Sequence, residues 1–319
     1  GNLDRSVLVS KRSRLRAGND KALNQLIAEM NAGKVDVLIL DSVNPVYNVR
    51  GFEEALAKVK YKVAIADRLD ETSSKSNVVL PMHHGFESWS DALPVDGVFN
   101  LGQPLIRPLF NTMQREEILL AVMGNSSKYY DYLRSYWSSN ILPMGMGWNQ
   151  AVHDGFYMSE KSEIEAGEAS SELVTNYDEI VASSGKQIST AKAAGIEISF
   201  YQKASMGVGI LSNNPWLQEM PDPLTRASWD NYLTMSASQA KELGLENSNT
   251  SNGSLNGSKV DITVNGITLT EVPVYIQPGQ TYGTVGLALG YGRTMAGKAG
   301  NNVGVNAFVL LQDGMHSAS

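Results

Sequence analysis

Three short, mostly apolar runs constrain this chain most. VDVLIL (Val35 to Leu40), apolar but for Asp36, is followed by KVAIA (Lys62 to Ala66) and then by NVVLP, which ends at Pro81. Runs of four to six apolar residues with no polar alternation are what strands of a parallel sheet require, because helices cover both faces of such a sheet. Before the first run, Leu23, Leu26, Ile27 and Met30 recur at helical spacing between Asp20, a capping residue, and Gly33, a stop. Between the first two runs, Phe52, Leu56 and Val59 line a helix face. The roughly 20 connecting residues suit a right-handed βαβ crossover. Asn111 is expected to open a further helix, with Gln114 placed for a capping box and Leu119, Leu120 and Met123 on its buried side.

From Ile196 the period changes to two. In KVDITVNGITLTEVPVYIQPG, Val260, Ile262 and Val264 alternate toward one face, Asn265-Gly266 supplies a type I′ turn, and Ile267, Leu269, Val272, Val274 and Ile276 return. The chain therefore predicts an α/β part followed by a β part, the latter a small barrel. The intervening Ser126–Ala194 region is aromatic first (Tyr129, Tyr130, Tyr132, Tyr136, Trp137, Trp148), then polar and acidic. It reads as a connector, packed and then mobile. The domain reading is 1–125, 126–194 and 195–319. The stretch NSNTSNGSLNGS, Asn247 to Ser258, reads as an exposed loop.

Composition narrows the chemistry. Among 319 residues there is no cysteine, which excludes disulfides, thiolate catalysis and iron–sulfur ligation within them. No apolar run reaches the roughly 18 to 20 residues of a bilayer span. The formal charge of -7 argues against a nucleic-acid partner, and Arg5, Lys11, Arg12, Arg14 and Arg16 read as a solvated basic tail. Because the chain opens on Gly1 in a polar stretch, a piece of a longer protein is expected.

Gly292-Arg-Thr-Met-Ala-Gly297-Lys298 matches a phosphate-binding loop up to the lysine, but Ala299 stands where a magnesium-ligating hydroxyl belongs. Gly300, Asn301, Asn302 and Gly304 are a poor helix opening, so ATP binding is not expected. The glycines read as positive-φ turns, and Arg293 and Lys298 as a solvated basic loop that is able to meet an anion or a partner subunit. His83, His84, Glu87 and Asp91 are the only cluster of metal-capable types, at a spacing that fits no standard motif, and read as loop packing. No Ser-His-Asp arrangement is legible, so these residues are not expected to make or break bonds themselves. In open α/β sheets the strand ends form the ligand crevice, which singles out Asn44 before Pro45, and Asp67, Asp70, Glu71 and Thr72 after the second run. Turn formation by Asn44 and helix capping by the acidic residues are the competing readings.

The order strand-NP, strand-D-x-x-D-E-T, VVLP, connector and β domain resembles the C-terminal half of the molybdopterin oxidoreductase (dimethyl sulfoxide reductase) superfamily. NNPWLQEMPDPLTRASWDNYLTMS (Asn213 to Ser236) and LALGYGRTMAGKAGNNVGVNAF (Leu287 to Phe308) resemble in particular the large subunit of bacterial alternative complex III. The resemblance implies a partial Rossmann-like parallel sheet and a C-terminal double-psi β-barrel domain. It implies that Asn44 and Asp67 contact a molybdopterin guanine dinucleotide where one is bound, and it extends that expectation to Asp70, Thr72, Arg293 and Asn302. Ser76-Asn77 in place of the usual Ala-Asp, and ESWSD after the strand, depart from the family pattern. The alternative complex III branch implies a cofactor-free scaffold in a quinol-oxidising complex, with iron–sulfur clusters on a segment outside this chain. Partners would be other subunits of a membrane-associated respiratory complex, on the periplasmic side of the inner membrane, with no direct membrane span. The competing reading is an active molybdenum oxidoreductase.

Overall fold

The computed structural model describes residues 13–15, 18–159, 181–182, 184–185, 195–311 and 317–318. The apolar runs form strands β1 (Val37–Asp41), β2 (Tyr61–Ala66) and β3 (Val78–Pro81), a three-stranded sheet in that order. Its pairing is parallel. Tyr61 N donates to Asp36 O at 3.0 Å, Asn77 N to Lys62 O at 2.9 Å and Met82 N to Ala66 O at 3.1 Å, so each strand starts and ends beside its neighbour's start and end.

The chain falls into two compact units, one of Asp20–Ala64, Arg68–Asn77 and Ser184–Ser319, the other of Gly1–Asn19, Ile65–Asp67 and Val78–Ser183. In the first, α1 (Asp20–Asn31) is followed by a crossover that is not one helix but two short ones, α2 (Pro45–Asn48) and α3 (Phe52–Leu56). Gly51 breaks them apart with φ 74°. Met30, Phe52, Leu56 and Val59 are buried against Leu38 and Leu40. Both-face burial of β1 is not met, since Val37 and Ile39 stay exposed at 57% and 44%. Helices α1 and α3 cover only the face that carries Leu38 and Leu40.

In the second unit β4 (Ser90–Val95), β5 (Val98–Gly102) and β6 (Phe156–Met158) pair antiparallel in that order. The expected helix at Asn111 begins later, as α4 (Arg115–Val122). Its backbone start is displaced because Met113 N donates to Pro81 O and His83 N to Met113 O, which keeps the preceding residues extended. Gln114 closes no capping box; its side chain bonds Trp89 N and O instead. Ile118 and Leu120 are buried, whereas Leu119 and Met123 are exposed, which corrects the predicted face. The aromatic part of the connector packs as α5 (Tyr129–Tyr136), a π-turn (Trp137–Ile141) and α6 (Trp148–Asp154) around a fully buried Trp137. The stretch expected to be mobile lies outside the described residues except for 181–182 and 184–185, which are helical, and Arg5, Lys11, Arg12 and Arg16 lie outside them too. Arg14 is not merely solvated, since it ion-pairs with Asp96. Such an exposed pair contributes little.

Asp91 accepts hydrogen bonds from Tyr129 Oη at 3.1 Å and Trp137 Nε1 at 3.0 Å. Asp91→Ala is expected to cost about 1 to 3 kcal/mol by leaving those two buried donors without an acceptor. Urea unfolding measures the loss, and an unchanged midpoint would remove Asp91 from the packing account.

The β part of the first unit contains β7 (Glu197–Gln202), β8 (Leu233–Met235), β9 (Asn247–Asn249), β10 (Leu255–Gly257), β11 (Lys259–Val264), β12 (Ile267–Ile276), β13 (Thr284–Leu289) and β14 (Ser317–Ala318), with α7 (Pro215–Glu219) and α8 (Ala237–Glu242) between strands. Six of these strands make one sheet ordered β11-β12-β8-β13-β7-β14. β12–β8 and β13–β7 are parallel pairs, joined by antiparallel β13–β8. The predicted hairpin is present, with Asn265 at φ 51° and Gly266 at φ 79° between β11 and β12. The low-complexity stretch is exposed but is not a plain loop, because β9 and β10 form a small hairpin. Asn247 explains it: its side chain accepts from Ile276 N at 2.7 Å and donates to Val274 O at 2.8 Å, serving the β12 edge as a strand would.

Candidate functional site

The loops after β1 and β2 and the Gly-rich loop after β13 meet at one carboxylate, Glu71, within a single compact unit. Glu71 Oε2 accepts from Asn44 Nδ2 at 2.7 Å and from Arg293 Nη2 at 2.7 Å. Its Oε1 accepts from Arg293 Nε at 2.9 Å and from the backbone N–H groups of Thr294 and Met295 at 2.8 and 3.0 Å. Arg293 Nη1 donates to Gly209 O at 2.7 Å, and its guanidinium lies 4.9 Å from the Tyr47 ring centroid. Glu71 and Arg293 are 7% and 5% exposed. Arg293 is therefore not the solvated basic residue the sequence suggested. Burial by itself would raise the Glu71 carboxyl, but the bonds from Arg293, Met295 N and Asn44 outweigh it and bring the pKa down to about 2.

The other nominated residues are drawn into the same network. Asn44 stands at the N-terminus of α2 without capping it. Its Oδ1 accepts instead from Thr72 N at 3.1 Å and Thr72 Oγ1 at 2.7 Å. Thr72 Oγ1 in turn accepts from Val46 N. Asp70 caps the turn Ser73–Lys75 by accepting from Ser73 N and Oγ at 2.7 Å each. Asn302, at φ 58°, donates its N–H to Arg293 O at 2.7 Å. Asp67 falls in the other compact unit.

Gly292, Gly297 and Gly304 all have positive φ, as turn glycines should. After Lys298, Ala299 N donates to Asn213 Oδ1, and no helix follows to face a phosphate. Titration calorimetry is expected to detect no ATP binding; micromolar affinity lost in Lys298→Ala would contradict this. In the other unit His84 and Glu87 form a capping box on the turn Gly85–Glu87, and His83 bonds Thr112. Among the described residues no group of three or more His, Cys, Asp or Glu side chains is arranged to hold a metal ion.

Sequence reasoning did not single out Lys203. Buried after β7, its ammonium donates to Asp230 O at 2.8 Å and sits 4.1 Å from the Tyr232 ring centroid. Desolvation lowers its pKa to about 8, against the opposing pull of Asp222 and Asp230. No local pattern marks it, since the tyrosine and aspartates that surround it arrive from a separate loop. The folded state binds fewer protons than the unfolded chain between about 8 and ~10.4, so this lysine makes stability rise with pH across that window. Lys203→Met is expected to abolish that rise, read as the difference in urea midpoint between wild type and variant from about pH 8 to about pH 10. A constant difference would refute it.

A parallel α/β segment whose loops converge on a buried hub with a mixed six-stranded sheet defines an α/β protein with the fold of a molybdopterin enzyme. The chain is similar to acetylene hydratase from Pelobacter acetylenicus, of the dimethyl sulfoxide reductase family, with a TM-score of 0.63 over 92% of this chain and 43% of that one, at 16% identity. That likeness is one of fold. In sequence, 105 residues are 33% identical to the menaquinone reductase, molybdopterin-binding-like subunit, of Nitratidesulfovibrio vulgaris, over 31% of this chain and 15% of the relative. No family model matches the chain. The resemblance to the molybdopterin oxidoreductase superfamily thus holds in sequence and in fold, while the chain spans less than half of acetylene hydratase.

Proposed function

We propose that this chain is the C-terminal part of a molybdopterin oxidoreductase-family subunit that acts as a cofactor-free scaffold in a membrane-associated, quinol-oxidising electron-transfer complex of the alternative complex III kind. The observation that carries the reading is the saturation of the Glu71 hub. Asn44, nominated by resemblance to hold a guanine dinucleotide, spends both amide atoms on Glu71 and Thr72, and Arg293 spends its fork on Glu71 and Gly209. Side chains so engaged do not fit a dinucleotide without breaking a buried ion pair. Asp70 and Thr72 are similarly committed to local structure. Asn44, Asp70, Thr72, Arg293 and Asn302 are on this reading vestigial cofactor contacts, and Asp67, in the other unit, is read as vestigial by resemblance alone.

The six-stranded sheet is read as the double-psi barrel, supported by its two parallel pairs, and the domains as 1–125, 126–194 and 195–319. Multi-subunit assembly is supported by the relative, which is itself a subunit of a menaquinone reductase. No helix of the described residues is long and apolar enough to cross a membrane. Attachment through partner subunits on the periplasmic side is part of this reading. That relative is named as a subunit of a menaquinone reductase and the proposal is for quinol oxidation, so the direction of electron flow is measured with quinol and quinone separately.

Elemental analysis of the native full-length protein tests the scaffold. Iron without stoichiometric molybdenum or tungsten is expected, and Asp67→Ala is expected to leave electron transfer nearly unchanged. Stoichiometric molybdenum, lost in Asp67→Ala, would overturn the scaffold in favour of an active molybdenum oxidoreductase.

A further inference from the structure

We propose that residues 103–113 form a docking surface for another protein subunit, one that presents an apolar groove with a carboxylate at its rim. The inference rests on the subunit reading above and adds the place of contact. Leu105, Leu109 and Phe110 are 74%, 71% and 78% exposed, with Ile106 and Phe86 exposed beside them in sequence or by hydrogen bonding. This is not a slack loop. Leu105 N and Ile106 N both donate to Phe86 O, at 2.7 and 3.1 Å, and Met113 N donates to Pro81 O. Leu109 N donates to Glu87 Oε1 at 2.9 Å, while the other oxygen of Glu87 holds His84 N. The backbone is fixed by hydrogen bonds, so the large apolar side chains are presented on a pre-organised frame, which lowers the ordering cost of binding.

Charge selects the occupant. The segment Gln103 to Met113 has no acidic residue and one cation, the exposed Arg107, in a chain of net charge -7. Aromatic, aliphatic and arginine side chains together are the composition of an interface anchor. An anionic bilayer would gain only about 1 kcal/mol from a single arginine and would be repelled by the net charge. A second copy related by a twofold axis would set the patch against itself, bringing like charge to like charge. A partner with a carboxylate at its groove satisfies both the apolar residues and Arg107.

The test uses the full-length protein, alone and assembled with the subunits that purify with it. Hydroxyl-radical footprinting should label Leu109 and Phe110 in the isolated protein and lose that label in the complex. The double variant Leu109→Ser/Phe110→Ser should weaken assembly by about thirtyfold and Arg107→Glu by about tenfold, with thermal unfolding unchanged. Protection of the loop already in the isolated full-length protein would assign it to that protein's own interior and overturn the proposal. So would dimerisation in ultracentrifugation, or flotation with phosphatidylglycerol vesicles, that the double variant abolishes. A complex that forms equally well with the double variant refutes the docking site and leaves the subunit reading standing. A full-length protein that purifies with no partner removes the subunit reading itself.

Discussion

Replacing Glu71 by alanine is expected to lower stability by about 3 to 5 kcal/mol, the range for removing one partner of a buried ion pair and leaving the other charge uncompensated. Arg293 would keep Gly209 O and lose its carboxylate, and Asn44, Thr294 N and Met295 N would each lose an acceptor. Pairing the change with Arg293→Met should recover much of the loss, because an apolar pair of similar volume needs no compensation. The pH dependence has a definite sign. Glu71 titrates near 2 in the folded state and near ~4.3 in an unfolded chain, so the folded state binds fewer protons between those values. Its contribution is complete above about 4.3 and is lost as pH falls through about 2. Glu71→Gln should flatten that part of the acid-unfolding curve. If wild type and Glu71→Gln lose stability in parallel from about pH 4.3 downward, Glu71 is not the hub.

Gly292→Ala is the second large effect, about 2 to 5 kcal/mol from a left-handed backbone and an overpacked site together. Gly292 has φ 70°, and a methyl group there would overlap the backbone at Val305 and Asn306. Relief would require the strand-like bond from Gly292 N to Val303 O to open, which displaces Arg293 next to it. Gly266→Ala is the matched control, since Gly266 has φ 79° but open space at its missing side chain. It should cost only the backbone share, about 1 to 2 kcal/mol. Equal losses in the two variants, measured by denaturant unfolding, would show that crowding at Gly292 is relieved elsewhere.

Where a structural decision is made within a few residues, this chain declares it. The apolar runs became β1 to β3, Asn265-Gly266 became the turn between β11 and β12, and the aromatic cluster became the Trp137 core. Asp96-Gly97, with Gly97 at φ 82° between β4 and β5, carried the same hairpin signal and could have been read the same way. The face of α4 was misread because its start depends on Met113 pairing with residues 81–83, some 30 positions earlier. Periodicity reports that a helix has an apolar side, but its N-terminus sets which residues fall there. Periodicity is equally silent on what is available to cover a strand, and so β1 kept one face exposed.

The hub marks the limit more sharply. Glu71 and Arg293 stand 222 positions apart. Each alone is an ordinary charged loop residue, so the sequence supplied a helix-capping acid and a basic loop. Only the fold shows that these two charges neutralise each other in a buried site, and that Asn44 faces Glu71 and Thr72. The sequence by itself determined β1 to β3, the β11–β12 hairpin with its turn, and the family likeness, because those rest on local backbone preference and on patterns within one segment. The tertiary structure alone decided how the polar residues at the strand ends are used, because a buried hydrogen-bonding group is defined by what the rest of the chain brings to it.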